Sequence, residues 1–111
     1  MKYQRVRNFY YGEFVDSESK QTDEVVSPLD GSQLSSVPMS TKDELNAAVD
    51  SAKQAAPTWA ANPIKERVQV FFRYRNQLEQ NSDELTALIS EENGKTWDEA
   101  KANTAAGTGG P

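Results

Sequence analysis

The chain has 111 residues, 36% of them hydrophobic, and a formal net charge of −5. That length holds one small domain with a modest core, and its interspersed acids and bases offer no basic face to nucleic acid or to an anionic membrane. The sequence contains neither cysteine nor histidine, which excludes disulfides, thiolate metal sites, a cysteine nucleophile and the commonest general base.

No apolar run reaches transmembrane length. The opening MKYQRVRNFYYGEF carries basic residues but no apolar stretch of the kind a secretory signal needs, so a cytoplasmic location is expected. Residues 1–39 read as extended chain with turns. Aromatic and β-branched residues flank Tyr11-Gly12 and suggest a hairpin. The stretch DSESKQTD is polar and turn-like. EVVSPLDGSQLSSVP then gives a short strand, a turn over Pro28 to Gly31, and a second strand ending at Pro38.

Helix signals begin at Ser40. Thr41 and Glu44 have the spacing of a capping box, followed by Leu45, Ala48, Val49, Ala52, Ala56 and Trp59 on one face. Asn62-Pro63 ends that helix and opens a second, with Ile64, Val68, Phe71, Tyr74 or Arg75, and Leu78 as its stripe. Asn81-Ser82 restarts the chain, Asp83 and Glu84 suit a first helical turn, and Leu85, Leu88 and Ile89 should face inward. Gly94 suits a helix end, and Thr96 with Glu99 forms a second capping box that opens a helix at Trp97. Gly107, Gly109, Gly110 and Pro111 oppose its continuation, so fraying is expected from about Asn103. The expected organisation is strands and turns over 1–39, a helical region over 40–103 and a disordered Ala/Gly-rich tail over 104–111. The fold class is α+β, mainly a bundle of three to four helices preceded by extended strands.

Each candidate motif has a plainer structural reading. Gly94-Lys95-Thr96 resembles the end of a phosphate loop, but the required upstream glycine position is Ile89, and the segment lies between helices. GTGGP lacks the spacing of a dinucleotide fingerprint. Glu91, Glu92, Asp98 and Glu99 fit a solvated face better than an acid–base pair or a metal site. Arg67, Arg73 and Arg75 have Glu66 and Glu79 nearby for pairing on the helix surface. Trp59, Phe71, Phe72 and Trp97 suit core or interface anchors. No nucleophile, base and oxyanion donor assemble, so no catalytic, cofactor-binding or metal residue is assigned.

The segments VRNFYYGEFVDSES, EVVSPLDGSQLSSVPMSTKDELNAAVDSAKQAAPTWA and RVQVFFRYRNQLEQNSDELTALISEENGKTWDEAKA, in that order, resemble the N-terminus of aldehyde dehydrogenases from about Val6 to Ala102. VRNF with GEFVDS, VPMST and GKTWDEA look most like the methylmalonate-semialdehyde branch, which makes an acyl-CoA. Ser27-Pro28-Leu29-Asp30-Gly31 and Tyr10-Tyr11-Gly12 depart mildly from the family's usual turns.

The resemblance implies an incomplete part of the cofactor-binding domain of an NAD-dependent oxidoreductase that works through a cysteine thiohemiacetal. The family's Cys, Glu, oxyanion Asn and nucleotide-binding strands match no position here, so NAD, and CoA with it, is expected of the full-length family and not of this chain. The chain alone is expected to be inactive. The family's helix continues with a sequence like Val-Arg-Arg-Gly-Leu-Glu-Val. A one-base shift of the codons for Thr104 to Pro111 can restore nearly that series, so a frameshift near Asn103 or Thr104 is expected, against a cloned fragment or a linker. Exposed helix faces would serve self-association or contact with the remainder of the enzyme. The alternative reading is a non-enzymatic helical interaction or fragment-complementation module. The first 39 residues carry too few apolar side chains to order themselves without partner strands.

Overall fold

A computed structural model describes residues 1–107. Its described elements are β1 (Asn8–Tyr10), β2 (Glu13–Val15), β3 (Thr22–Val26), β4 (Gln33–Pro38), α1 (Lys42–Ala61), α2 (Ile64–Gln80), α3 (Ser82–Asn93) and α4 (Trp97–Gly107). The class is α+β, with four helices and two small antiparallel strand pairs. The described residues divide into two compact units: one holds residues 1–26 and 32–62, the other joins the Ser27–Gly31 turn to residues 63–107.

In the first unit β1 and β2 form the expected hairpin, with Phe9 opposite Phe14 and Tyr10 opposite Glu13. Its two turn residues both have left-handed backbone, Tyr11 at φ 51° and Gly12 at φ 78°. That is the primed turn matching the twist of the flanking strands. The Phe9 and Phe14 rings meet edge to face at 5.0 Å.

β3 pairs antiparallel with β4, from Thr22 opposite Pro38 to Val26 opposite Gln33, with an irregularity between Val25 and Val26. Thr22 and Asp23 thus belong to a strand, although their polar context reads as a turn; ladder pairing with β4 overrides local composition. The N-terminal segment runs beside β4: Tyr3 N donates to Leu34 O at 2.7 Å and Val6 N to Ser36 O at 2.9 Å. The Ser35 hydroxyl donates to Gln4 O at 2.7 Å. Leu34 is buried there.

α1 starts where its sequence signals place it. Glu44 N donates to Thr41 Oγ1 at 3.2 Å, and Thr41 N donates to Glu44 Oε2 at 2.9 Å, closing the capping box. The helix runs through Pro57 to Ala61 and is capped by Asn62, the residue before Pro63. It packs on β1, yet none of its residues is buried.

In the second unit Asn81 is both the last cap of α2 and the first of α3. Gly94 closes α3 in the left-handed conformation at φ 68°. Thr96 and Glu99 exchange two bonds of 3.3 Å, the second capping box. α3 packs chiefly on α4 and more lightly on α2. Leu85, Leu88 and Ile89 are half-buried, while α2 buries nothing. Mutual burial of the helical stripes is therefore confined to a small α3–α4 contact.

The centre of that contact is polar. Thr86 is fully buried, and its Oγ1 lies 3.3 Å from Thr104 Oγ1 across the two helices. This corrects the end of α4. The expected fraying from Asn103 does not occur, and residues 104–107 are helical rather than a disordered tail. Ala105 and Ala106 are strong helix formers, and the Thr104 hydroxyl donates to Ala100 O at 3.2 Å while its side chain is buried against α3. The expectation for residues 108–111 lies outside the described residues.

Candidate functional site

The residues singled out in the sequence do not converge on one site. Gly94, Lys95 and Thr96 form the corner between α3 and α4. The polar groups a phosphate would need there already have partners. Gly94 N donates to Ser90 O at 3.0 Å, Thr96 N to Glu99 Oε2 at 3.3 Å, and Thr96 Oγ1 accepts from Glu99 N at 3.3 Å. The Lys95 carbonyl accepts from the Ser90 hydroxyl at 2.8 Å. The approach to Gly94 is also filled, since a Cβ built on it would lie 3.0 Å from Pro28 Cγ. A phosphate cradle needs an open glycine face and free amides beside it; here the glycine face is filled and the amides of Gly94 and Thr96 are taken. The Gly94–Thr96 corner does not have the form of a phosphate loop.

Glu99 is spent on its cap, and the described residues contain no cluster of acidic groups placed to hold a metal ion. Arg75 pairs with Glu79 one turn on, Nε to Oε1 at 3.1 Å, as surface pairing on the helix predicts. Arg67 differs: its Nε is buried and has no hydrogen-bond partner among the described residues. Trp59, Phe71, Phe72 and Trp97 are all exposed by more than a third of their surface, so within this chain they are not core. No helix among the described residues is long and apolar enough to cross a membrane.

Two polar nodes in the first unit carry geometry that sequence reading did not supply. Glu44 caps α1 and also accepts from the Ser17 hydroxyl and from Glu18 N at 2.7 Å. The bonds from the Thr41 amide, the Ser17 hydroxyl and the Glu18 amide hold its carboxyl below the usual carboxylate range. The Tyr11 hydroxyl donates to Asp50 Oδ2 at 2.6 Å, and Tyr11 N donates to Ser51 Oγ at 3.0 Å. The hydrogen bond to Asp50 is the main reason the Tyr11 phenol titrates above its ordinary value. Both nodes tie loops to α1. The only legible signal for them was the capping box at Glu44; their partners lie far away in sequence.

The profile of the aldehyde dehydrogenase family matches residues 14–108. The chain belongs to the aldehyde dehydrogenase family. It is 39% identical over 97 residues to a malonate-semialdehyde dehydrogenase of Halalkalibacterium halodurans, an alignment covering 87% of this chain and 20% of that protein. With the malonate-semialdehyde dehydrogenase of Bacillus pumilus it shares 36% identity over 104 residues, 94% of this chain and 21% of the relative. Among solved structures it resembles a Sinorhizobium meliloti protein assigned as a methylmalonate-semialdehyde dehydrogenase and solved with NAD. The TM-score is 0.85 at 35% identity, covering 93% of this chain and 21% of that one. Lactaldehyde dehydrogenase of Escherichia coli aligns with a TM-score of 0.90 at 27% identity, over 96% of this chain and 22% of that one. The chain thus spans about a fifth of the length of these aldehyde dehydrogenases, and its two strand pairs and four helices are a part of the family's fold.

Proposed function

We propose that this chain is a non-catalytic N-terminal segment of an NAD-dependent aldehyde dehydrogenase that oxidises malonate or methylmalonate semialdehyde to an acyl-CoA. The observation that carries the substrate class is the 39% identity, across 87% of the chain, with a malonate-semialdehyde dehydrogenase. The resemblance of VRNF, VPMST and GKTWDEA to the methylmalonate-semialdehyde branch points the same way. The chemistry of the family needs a thiolate to attack the aldehyde and a dinucleotide to accept hydride. This sequence has no cysteine, and its one glycine corner that resembles a phosphate loop is capped and filled. Its role in the enzyme is therefore structural. A cytoplasmic, oligomeric enzyme is part of the same proposal, and the exposed apolar residues of α1 and α2 support the second half of it.

The test is to incubate the purified chain with NAD, CoA and malonate semialdehyde and follow NADH, with a parallel titration of NAD against tryptophan fluorescence. The blank rate and no saturable NAD binding are expected. Turnover above the blank, or a saturable isotherm, overturns the non-catalytic reading.

A further inference from the structure

Asn93-Gly94 is the only asparagine–glycine pair in the sequence. Such a pair has a chemistry of its own. The backbone nitrogen after an asparagine can attack the side-chain carbonyl carbon, and glycine, with no Cβ, hinders that attack least. In the fold Asn93 is the last residue of α3 and Gly94 is its cap. Both are exposed, so water reaches them.

The closed corner between α3 and α4 opposes the reaction. The attacking nitrogen, Gly94 N, is held by its bond to Ser90 O at 3.0 Å. The leaving amide is held too, since Asn93 Nδ2 donates to Ile89 O at 3.3 Å. In a helix each Cα–Cβ bond tilts toward the N-terminus, so the side-chain carbon of Asn93 points away from the nitrogen that follows it. Ser90 latches the corner, its hydroxyl donating to Lys95 O at 2.8 Å. Pro28 closes the glycine side, its Cγ only 3.0 Å from where a Cβ on Gly94 would stand. The bonds from Asn93 and Ser90 are exposed, and exposed bonds at the end of an element open locally without global unfolding.

We infer that Asn93 is a deamidation site gated by the α3–α4 corner. In the open corner Gly94 N gives its proton to water and bonds to Asn93 Cγ. The Cγ–Nδ2 bond breaks, and the nitrogen takes up one proton and leaves as ammonia. Water then opens the succinimide ring. Opening at Cγ gives aspartate; opening at the main-chain carbonyl gives isoaspartate, with one extra carbon in the backbone. Neither product restores the corner fully. The new carboxylate has no proton to donate to Ile89 O, and it sits at the C-terminal end of α3, where the helix carbonyls disfavour an anion. In isoaspartate the extra carbon also shifts Gly94 from its seat beside Pro28. The corner is thus a one-way device, in which opening permits a change that favours further opening.

The experiment incubates the folded chain at neutral pH beside a synthetic peptide of residues 90–97, which has no corner to close. Deamidation is read as a gain of one mass unit in the tryptic peptide of residues 76–95. Isoaspartate is read by methyl transfer from S-adenosylmethionine with an isoaspartyl methyltransferase. Asp30-Gly31 can form the same ring but returns to its original mass and lies in another tryptic peptide. The folded chain should react roughly 30-fold more slowly than the peptide, the protection that two hydrogen bonds sustain. Ser90→Ala removes the latch and leaves Asn93 and Gly94 in place; it should raise the folded rate about fivefold and leave the peptide's rate unchanged. Asn93→Gln should abolish the mass gain, because its longer side chain must close a larger ring. In urea the chain's rate should climb to that of the peptide as helical circular dichroism is lost, an arm that needs no variant to fold. Equal rates in the folded chain and the peptide overturn the gating, as does a Ser90→Ala variant that keeps its helix and reacts no faster. A mass gain at another asparagine overturns the site. The deamidated fraction, separated on an anion exchanger by its added negative charge, should unfold at lower urea than its parent; an equal or higher midpoint overturns the one-way device.

Discussion

The hydroxyl of Ser17 lies 2.9 Å from Oε1 and 2.8 Å from Oε2 of Glu44, placing it between the two carboxylate oxygens. The same carboxylate accepts from the amides of Glu18 and Thr41. One side chain thus caps α1 and holds the loop after β2 against the helix start.

This node predicts a pH dependence with a definite sign. The folded-state pKa of Glu44 is lowered, first by the Thr41 amide, then by the Ser17 hydroxyl and the Glu18 amide. A depressed carboxylate pKa contributes stability that is present above the unfolded value and lost as pH falls through the folded one. Helical circular dichroism should therefore decline on acidification through that window. Glu44→Gln should remove this part of the decline, since the amide carries no charge to titrate; an unchanged acid profile in that variant would refute the assignment.

Tyr11 gives the opposite case. Its phenol pKa is raised, chiefly by donation to Asp50. The bond stabilises the hairpin below the unfolded pKa and is lost as pH rises through the folded one. In an ultraviolet titration Asp50→Asn should move the highest-titrating phenol downward, and Tyr11→Phe should delete it. The adjacent Gly12 sits at φ 78°, where a side chain costs about 1–2 kcal/mol. Gly12→Ala should destabilise the hairpin by that amount in urea unfolding.

Two glycines predict opposite signs for one substitution. At Gly94 the backbone is left-handed and an added Cβ would press on Pro28 Cγ at 3.0 Å. Gly94→Ala should cost at least about 1–2 kcal/mol from the backbone alone, with part of any excess recovered by Pro28→Ala. Gly107 is helical and has nothing within 4 Å of the built Cβ. Gly107→Ala should stabilise by at most roughly 0.5–1 kcal/mol, the helix-interior value, because Gly107 is the last residue of α4. Chemical denaturation of the three variants checks the ordering.

The buried threonine pair predicts coupling. Thr86 Oγ1 donates to Ser82 O at 2.7 Å, and the single proton of Thr104 Oγ1 is shared between Ala100 O at 3.2 Å and Thr86 Oγ1 at 3.3 Å across the helices. Thr86→Val should destabilise by about 1 kcal/mol. Combining it with Thr104→Val should recover part of that loss, because two apolar groups of the same shape then face each other. Additive losses in a double-mutant cycle would mean the hydroxyls do not interact.

Much of this architecture is local, and local chemistry is what a sequence displays. The start of α1 follows from Thr41 and Glu44, the start of α4 from Thr96 and Glu99, and the end of α3 from Gly94, because each signal satisfies backbone groups within a few residues. The break at Asn62-Pro63 is equally local. The absence of cysteine and histidine, and the family resemblance, also stand in the sequence alone.

Burial was not legible in this way. The apolar stripes of α1 and α2 have helical spacing, yet neither helix buries a residue; periodicity marks a face without showing whether anything covers it. The fully buried position in α3 went to Thr86, whose partner Thr104 lies 18 residues on, in a segment whose glycines argued for fraying. Ser17 and Glu44 are separated by 27 residues, and only the folded chain brings them together. Hydrogen bonds near in sequence are fixed by local residue types, whereas those between distant residues, and the burial of any face, depend on which surfaces the tertiary structure sets against each other.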